Sequence, residues 1–321
     1  MHAQLFPVQK DGKTGFINDK GQAVIDFEFA GASTFSEGLA RVFVGDKVGF
    51  INLEGNMVIP PIYDSALGFS EGLAVVTLGE QQGYINAKGE LVIAPQYYRA
   101  DEFHDGLARV MESVTSKGSF INREGRILLS GRNFLISQYR EGLVNCPDKG
   151  RWGFINKGGD FIIPPVYKYT RPFFEDKAAV APKKGIDGKA NSKSRYGFIN
   201  KAGEMIIPPL FEGADIRFSE GLCAVWDKGF GFIDEKGAVV IPCKLDYADH
   251  FSEDLAVFKS KGRKDLYGYI DKGGNIVIPH MFSTADSFEH GLASVTVGEE
   301  YDDYHYGYIN KNGEYVWEPS R

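Results

Sequence analysis

The sequence predicts an all-β protein made of nine tandem copies of one unit with three antiparallel strands. A G-[FY]-I-[ND] motif recurs through the 321 residues, and the chain contains 39 Gly, 24 Phe and 16 Tyr. Glycines that punctuate aromatic and β-branched segments are typical of strands joined by turns. Regular self-similarity indicates a repeat architecture, in which each unit buries its apolar face against its neighbours.

The motif recurs at intervals of roughly 34 residues. It begins at Gly15, Gly49, Gly83, Gly153, Gly197, Gly231, Gly268 and Gly307, with a degenerate copy, S-F-I-N, at Ser119. These positions predict a single repeat domain over residues 1–321. Its nine units lie at about 1–34, 35–68, 69–102, 103–138, 139–172, 173–217, 218–250, 251–287 and 288–321.

Each unit is predicted to contain three short strands, as the second copy illustrates. They cover residues 39–44, 48–52 and 57–59, and the last runs into Pro60-Pro61-Ile62-Tyr63. The Leu-Ala-x-Val segment alternates with the period of two that a half-buried strand requires. Because proline lacks the N–H that a central strand donates, the third strand must end at the prolines or lie at a sheet edge.

A turn of constant chemistry joins the second and third strands. An Asn or Asp opens it in all nine copies and a Gly closes it. The short polar side chain can bond the backbone two residues on, and the Gly suits a residue with positive φ. We therefore interpret the nine Asn or Asp residues as turn formers and not as a ladder of metal ligands. They are Asn18, Asn52, Asn86, Asn122, Asn156, Asn200, Asp234, Asp271 and Asn310.

An F-S-E-G-L-A segment follows the connector and leads into the next first strand, as at 35–40 and 69–74. Its Phe is predicted to anchor the core and its Gly to form a second turn. The acid in this segment recurs, and we interpret it as a structural part of the turn. It is Glu37, Glu71, Asp105, Glu141, Glu220 or Glu253, depending on the copy.

These motifs resemble those of the bacterial WG repeat family. The resemblance rests on Trp152-Gly153-Phe154-Ile155-Asn156, the Gly three residues later, the Ile-Ile-Pro-Pro-x-Tyr segment and F-S-E-G-L-A-x-V, and it covers essentially the whole chain. The Trp that names the family stands only at Trp152. Later copies place Tyr196, Phe230, Tyr267 and Tyr306 there, and earlier copies place Thr14, Val48, Gln82 and Gly118. The resemblance implies an interaction module without an assigned activity.

Two arrangements of the units fit the sequence. We favour an open, solenoid-like or superhelical array, and a closed ring similar to a β-propeller is the alternative. Propellers typically have four to eight blades of four strands, which fits nine three-stranded units poorly. The predicted strands at the two ends also leave no split unit to close a ring.

Composition limits the function. The net charge of −7 argues against nucleic-acid binding, since that affinity comes mainly from neutralised phosphates. We expect no contact with a membrane, because no apolar run reaches the length of a spanning helix. Three widely spaced Cys residues and the lack of a visible signal peptide favour a cytoplasmic location, although a secreted chain whose leader was removed would look the same.

Candidate binding residues lie where the repeats vary in length. Nearly all extra residues fall between the first and second strands, at 182–195, 259–266 and 298–306, and insertions at one repeat position project from one face of an array. The alternative is tolerated loop length without function. The predicted site combines the cations of two loops with the aromatic residues at the WG position. It comprises Lys183, Lys184, Lys189, Lys193, Arg195, Lys261, Arg263, Lys264, Trp152, Tyr196, Phe230, Tyr267 and Tyr306.

No catalytic motif is present in the sequence, so we expect neither catalytic residues nor a metal or other cofactor. The favoured hypothesis is a non-enzymatic scaffold that binds a protein or peptide through the array surface and the long loops. A carbohydrate-binding or small-ligand-binding protein, or an enzyme with a site in a groove, is the alternative. Repetition favours the scaffold, because a catalytic site needs an asymmetric cluster of residues.

Overall fold

The computed structural model describes residues 4–134, 137–183, 194–215, 217–260, 266–298 and 305–320, without the side chains of 319 and 320. The chain divides into two compact units. Residues 1–136 and 320–321 form the N-terminal unit, and residues 137–319 form the C-terminal unit. The division falls near 138, where the sequence places the end of the fourth repeat.

Four antiparallel sheets form the N-terminal unit, and chain neighbours pair in each of them. The first sheet contains β1 (Phe6–Lys10), β2 (Lys13–Ile17) and β3 (Ala23–Phe29). The second contains β4 (Gly31–Ala32), β5 (Leu39–Val44), β6 (Lys47–Asn52) and β7 (Met57–Tyr63). The third contains β8 (Ser65–Ser70), β9 (Leu73–Leu78), β10 (Gln81–Asn86) and β11 (Leu91–Tyr97), and the fourth β12 (Arg99–Ala100), β13 (Ala108–Met111), β14 (Ser119–Ile121) and β15 (Ile127–Leu129).

Three antiparallel sheets form the C-terminal unit, two of them with seven strands. The first contains β16 (Tyr139–Arg140), β17 (Leu143–Asp148), β18 (Arg151–Ile155), β19 (Phe161–Thr170), β20 (Lys177–Pro182), β21 (Tyr196–Asn200) and β22 (Met205–Phe211). The second contains β23 (Gly213–Ala214), β24 (Leu222–Trp226), β25 (Phe230–Asp234), β26 (Val239–Ser252), β27 (Leu255–Ser260), β28 (Tyr267–Asp271) and β29 (Ile276–Phe282). The last contains β30 (Thr284–Ala285), β31 (Leu292–Val297), β32 (His305–Asn310) and β33 (Tyr315–Ser320).

The prediction of an all-β tandem repeat of antiparallel units is confirmed, and the described residues contain no helix that could cross a membrane. The connector after the third strand adds a short fourth strand that the sequence did not predict. In the second sheet, Gly31 and Ala32 of β4 pair with Phe43 and Val42 of β5. This pairing supplies partners to backbone groups that would otherwise be left without them.

The third strand continues through its prolines and does not end there. Strand β7 runs to Tyr63 and lies at the edge of its sheet, one of the two outcomes that the sequence allowed, whereas β19 and β26 lie inside seven-stranded sheets, which the sequence did not predict. The register of β7 with β6 shifts at the prolines, because Val48 pairs with Tyr63 while Phe50 pairs with Ile59. Residues 60 and 61 lie inside this bulge, where a missing N–H costs no ladder hydrogen bond.

The Asn or Asp turns form as predicted. In the second copy, the Asn52 side-chain oxygen accepts the N–H groups of Glu54 and Asn56, at 3.2 and 2.9 Å. Gly55 closes this turn with a φ of 82°. Equivalent bonds hold all nine turns, and all nine closing glycines have positive φ.

The F-S-E-G segment forms a two-residue turn of type I′. Glu37 and Gly38 both have positive φ, at 52° and 82°, and the backbones of Ser36 and Leu39 bond to each other. Positive φ at both central residues is the requirement of a type I′ turn. The Phe anchors the core as predicted: Phe69 packs edge-on against Phe50, with ring centroids 5.1 Å apart.

The Ser and the acid of this turn also join consecutive repeats. The Ser36 hydroxyl donates to the carbonyl oxygen of Phe69 at 2.6 Å, and Glu37 Oε2 accepts the N–H of Gly72 at 2.8 Å. The recurring acid is therefore structural, as the sequence indicated. The acid bond repeats as Glu71 to Gly106, Glu141 to Asp176, Glu220 to Asp254 and Glu253 to Gly291.

Candidate functional site

The repeats have two edges of different character. We call the edge that carries the F-S-E-G turns and the Asn or Asp turns the turn edge. The opposite edge carries the connections between the first and second strands, and we call it the loop edge. In the C-terminal unit its connections join β20 to β21, β24 to β25, β27 to β28 and β31 to β32.

Three of the predicted aromatic residues lie in ring contacts on the loop edge. Tyr196 stacks on Tyr169 with centroids 6.5 Å apart, and Phe230 lies 5.9 Å from Tyr247. Tyr247 also packs edge-on against Tyr267 at 5.6 Å, so it links two predicted positions of consecutive repeats. The fold therefore brings Phe230 and Tyr267 into one cluster.

Trp152 and Tyr306 lie at equivalent positions elsewhere in the unit. Trp152 is half-buried on β18, paired across the sheet with Pro147 and Tyr167. Tyr306 is 56% exposed on β32, opposite Thr296.

Most of the predicted cations fall on residues outside the described part of the chain, namely Lys184, Lys189, Lys193, Lys261, Arg263 and Lys264. Lys183 is described and exposed. Arg195 is held by groups of its own chain. Its guanidinium donates to the carbonyl oxygen of Leu210 and lies 3.4 Å from the Asp227 carboxylate and 3.9 Å from that of Glu212.

A cavity of about 420 Å³ opens beside the aromatic cluster. Strand β24 contributes Ala224 and Trp226 to its wall, and Phe230 follows on β25. Tyr247 completes the aromatic part, and Trp226 is 38% exposed. This volume lies within the range of ligand-binding pockets.

Two carboxylates line the same cavity, those of Asp215 and Asp249. Asp249 Oδ1 lies 2.7 Å from Nδ1 of His250, and the guanidinium of Arg217 lies 3.0 Å from that ring nitrogen. The hydrogen bond from His250 lowers the pKa of Asp249 against the effect of burial, and the charge of Arg217 acts in the same direction. Asp249 is therefore a carboxylate at neutral pH.

The ligand atoms of Asp215, Asp249 and His250 lie within 4.8 Å of one another, close enough to contact one cation. Arg217 already places a positive charge against His250, which disfavours a metal ion beside that ring. The phenol of Tyr247 stays protonated at neutral pH, because burial and then the charge of Asp249 raise its pKa to about 12. The cavity thus offers two carboxylates next to neutral aromatic rings.

Sequence reasoning missed Asp215, Trp226, Tyr247 and Asp249. The available signal was the Ala-Asp pair shortly before the Phe of F-S-E-G, at Ala214-Asp215 and Ala248-Asp249. The importance of these residues depends on contact between consecutive repeats, which no motif within one repeat reveals.

Several solved structures resemble this chain weakly. PorZ, an essential bacterial surface component of the type-IX secretion system of Porphyromonas gingivalis, is 8% identical with a TM-score of 0.38; the match covers 88% of this chain and 44% of PorZ. This chain thus spans less than half the length of PorZ. A protein of unknown function from Bacteroides caccae is 18% identical over 64% of this chain and 93% of its own, with a TM-score of 0.26. Hsv2 from Kluyvelomyces marxianus is 10% identical over 85% of this chain and 93% of its own, with a TM-score of 0.39. Scores this low support no conclusion about function.

Among curated proteins, none matches this chain. The family model described as "WG containing repeat" matches seven times, at residues 15–47, 49–80, 83–113, 152–181, 196–225, 230–263 and 267–301. The predicted copies that begin at Ser119 and Gly307 start outside these ranges. The matches together cover well over half of the chain, which therefore belongs to the WG repeat family.

Proposed function

We propose that this protein is a non-enzymatic scaffold that binds a protein or peptide along the loop edge of its C-terminal unit. One observation carries the proposal: the polar residues that repeat from copy to copy are occupied in holding turns and joining repeats. The residues of the loop edge differ between copies. A recognition surface requires such differences, because it must present a particular arrangement of groups to its partner.

The residues of the turn edge support this division. The Asn200 side-chain oxygen accepts two N–H groups of its own turn, at 3.0 Å each. Glu220 accepts the N–H of Asp254, and its carboxylate lies 3.0 Å from Lys272. Side chains held in this way by the fold have little capacity left for a partner.

The loop edge of the C-terminal unit has the composition of a binding surface. It presents Trp226, Tyr306 and Tyr169 with 38%, 56% and 47% exposure. Lys259 lies over the ring of Tyr267, with its ammonium 4.1 Å from the ring centroid. Aromatic and arginine side chains are enriched among the residues that contribute most binding energy at protein interfaces.

The burial of two cysteines argues against catalysis by a cysteine nucleophile. Cys146 and Cys223 are buried, and burial raises the pKa of the Cys223 thiol well above its ordinary value. A thiolate is the reactive form of cysteine, so this thiol is held in its unreactive state. The non-enzymatic role remains part of the proposal.

Selection of peptides against the immobilised full chain tests this function without a known partner. Peptides enriched from a random displayed library are synthesised, and their dissociation constants are measured for the native chain and two variants. The loop-edge variant replaces Lys183, Lys261, Arg263 and Lys264 with Ser. The turn-edge control replaces Lys20, Lys88, Lys157 and Lys236 with Ser, which changes the net charge equally.

We expect the loop-edge variant to bind at least tenfold more weakly and the control to bind within twofold of the native chain. The loss should grow at low ionic strength, where contacts between exposed charges are least screened. Equal losses of binding affinity in both variants would show that the effect depends only on net charge, and not on the loop edge. Failure to enrich any peptide, or unchanged binding by the loop-edge variant, would contradict the proposal.

A further inference from the structure

Four aromatic side chains from two consecutive repeats form a continuous row beside the cavity. Trp226 of β24 pairs directly with Phe230 of β25, and residues opposed in this way lie on one face of a sheet with Cβ atoms about 5 Å apart. The Phe230 ring lies 5.9 Å from Tyr247, which packs edge-on against Tyr267 at 5.6 Å. We call these four residues the aromatic row. Its first three members line the cavity of about 420 Å³.

The aromatic row is particular to one junction between repeats. Among the junctions that the structure describes, only this one has an aromatic residue on the first strand, at the WG position and in the next connector. The first-strand position of Trp226 holds Gln9, Phe43, Thr77, Met111, Pro147, Ala181, Lys259 or Thr296 in the other copies. The connector position of Tyr247 holds Gly31, Ser65, Arg99, Tyr169, Gly213 or Thr284. The aromatic wall is thus a property of this copy and not of the repeat.

Two hydrogen-bond donors in the aromatic row are free. Within the part of the chain that the structure describes, neither the indole N–H of Trp226 nor the hydroxyl of Tyr247 donates to another group. The Tyr247 hydroxyl keeps its proton at neutral pH, because burial and then the charge of Asp249 raise its pKa to about 12. Trp226 is 38% exposed, so a ligand can reach its indole from solvent. Both donors are therefore available to a ligand that supplies acceptors.

The two acidic residues beside the row already have partners within the chain. Oδ1 of Asp249 accepts hydrogen bonds from the backbone N–H and from Nδ1 of His250, each at 2.7 Å. Arg217 lies 3.0 Å from the same ring nitrogen and adds a positive charge. Asp215 also takes part in an interaction within the chain. The side chains of the cavity thus match a ligand that brings acceptors and apolar surface, rather than one that brings donors or positive charge.

We propose that the aromatic row binds a proline-rich segment of a partner peptide in the polyproline II conformation. This inference rests on the proposed function and adds the chemistry of the peptide. Proline has no backbone N–H, and its carbonyl oxygens stay free in this helix, which has no internal hydrogen bonds. The segment therefore offers the acceptors that Trp226 and Tyr247 lack, together with apolar rings that pack on aromatic faces. Grooves lined with aromatic side chains bind such helices in other peptide-recognition domains.

The strand pairing argues against the other common way of binding an extended peptide. Addition of a strand requires a sheet edge whose N–H and C=O groups are unpaired. Trp226 pairs with Gly213 on one side and with Phe230 on the other, and Phe230 pairs in turn with Leu245. An added strand finds no unpaired backbone at these two aromatic residues. Recognition at the aromatic row must therefore use side chains, as it does for a polyproline II helix.

The probe is a capped nonaproline peptide, titrated into the full chain by calorimetry and by ¹H–¹⁵N NMR. The control probe is a capped peptide of the same length made of alternating Gly and Ser, which keeps its backbone N–H groups and is a flexible coil. We expect saturable binding of nonaproline, with the Trp226 indole N–H signal shifted as it becomes hydrogen-bonded. The control peptide should bind at least tenfold more weakly.

Two variants of the aromatic row test its role. Trp226→Thr removes the ring and the donor together and should weaken nonaproline binding at least tenfold; Thr77 and Thr296 show that the fold accepts threonine at this position. Tyr247→Phe keeps the ring and removes only the donor, so it should weaken binding roughly fivefold, as for one neutral hydrogen bond. Tyr306→Phe is the matched control, because Tyr306 is exposed on the last repeat and lies outside the row, and binding should stay within twofold.

Any of four results would overturn the inference: no saturable binding of nonaproline, equal binding of the two probes, an unmoved Trp226 indole signal, or undiminished binding by either Trp226→Thr or Tyr247→Phe. Tighter binding of the neutral sugar maltohexaose than of nonaproline would also contradict it and would assign the cavity to carbohydrate. If library-selected peptides lose affinity in the loop-edge variant while one of these results is obtained, the inference fails and the proposed function stands.

Discussion

The turn edge and the loop edge of this protein use the same backbone pattern for different purposes. On the turn edge, Glu37, Glu141 and Glu220 each accept an N–H from the following repeat in the same way. On the loop edge, the position before G-[FY]-I-[ND] holds Trp152 in one copy and Tyr306 in another. In a stack of repeats, constancy therefore marks the residues that join neighbours. Variation marks where individual copies can acquire binding properties.

The largest effect is expected when a repeated glycine is replaced. A Cβ atom at Gly153, which opens G-F-I-N, would lie 2.4 Å from the carbonyl oxygen of Ile163 in the bulged third strand. We expect Gly153→Ala to lower the free energy of unfolding by about 3 kcal/mol, since the backbone of β19 must move. Urea denaturation followed by circular dichroism measures this loss.

Gly150 is the matched control from the loop edge of the same hairpin. Its φ is 75°, and a Cβ atom there would meet no atom within 4 Å. Gly150→Ala should cost about 1 kcal/mol, because only the backbone conformation is penalised. If Gly153→Ala and Gly150→Ala lost equal unfolding free energy, the close packing at the repeated glycine would not distinguish it from a glycine on the loop edge.

A smaller effect is expected from Glu220→Gln on the turn edge. Burial opposes the charged form of Glu220, but Lys272 and the N–H groups of Asp254 and Glu253 outweigh it and lower its pKa. A carboxylate whose pKa is lowered on folding stabilises the fold above its unfolded pKa, and that contribution is lost as pH falls through the folded value. We expect the variant to lose about 1 kcal/mol of unfolding free energy at pH 7, the size of a partly exposed charged hydrogen bond.

The pH profile separates this effect from a loss of packing. Below its ordinary pKa of 4.5, Glu220 becomes protonated in the unfolded chain, and at still lower pH it becomes protonated in the folded chain, so the difference between the native chain and Glu220→Gln should shrink over this range. Glu204→Gln is the control, because the Glu204 carboxylate accepts a bond from Asn200 of its own turn. A difference that is constant from pH 7 to pH 3 would contradict the assigned role of the charge.

The smallest effect is expected from shortening a long loop. Replacing residues 184–193 with Asn-Gly should change the unfolding free energy by no more than about 0.8 kcal/mol, since the cost of closing a loop depends weakly on its length. Other copies, such as 45–46, manage with a short connection at this place. Thermal unfolding of the variant measures the change. A loss of unfolding free energy as large as that expected for Gly153→Ala would contradict this expectation, because it would show that the loop contributes to the packing of the core.

The sequence predicted the features that repeat, for a physical reason. A bond such as that from the Asn52 side chain to Glu54 lies within four residues, so local sequence encodes it. The fourth strand depends instead on connector residues whose identities vary. The cavity depends on Ala224 and Ala248, which line it from consecutive repeats, and no motif within one repeat places them together.

Hydrogen–deuterium exchange of the full chain, with and without a saturating library-selected peptide, tests most directly whether binding is confined to the loop edge. We predict slower exchange at residues 226–230 and 247–249, which line or border the cavity, and unchanged exchange at the F-S-E-G turns 219–222 and 252–255. Protection confined to those turns, with none around Trp226 and Tyr247, would contradict the account.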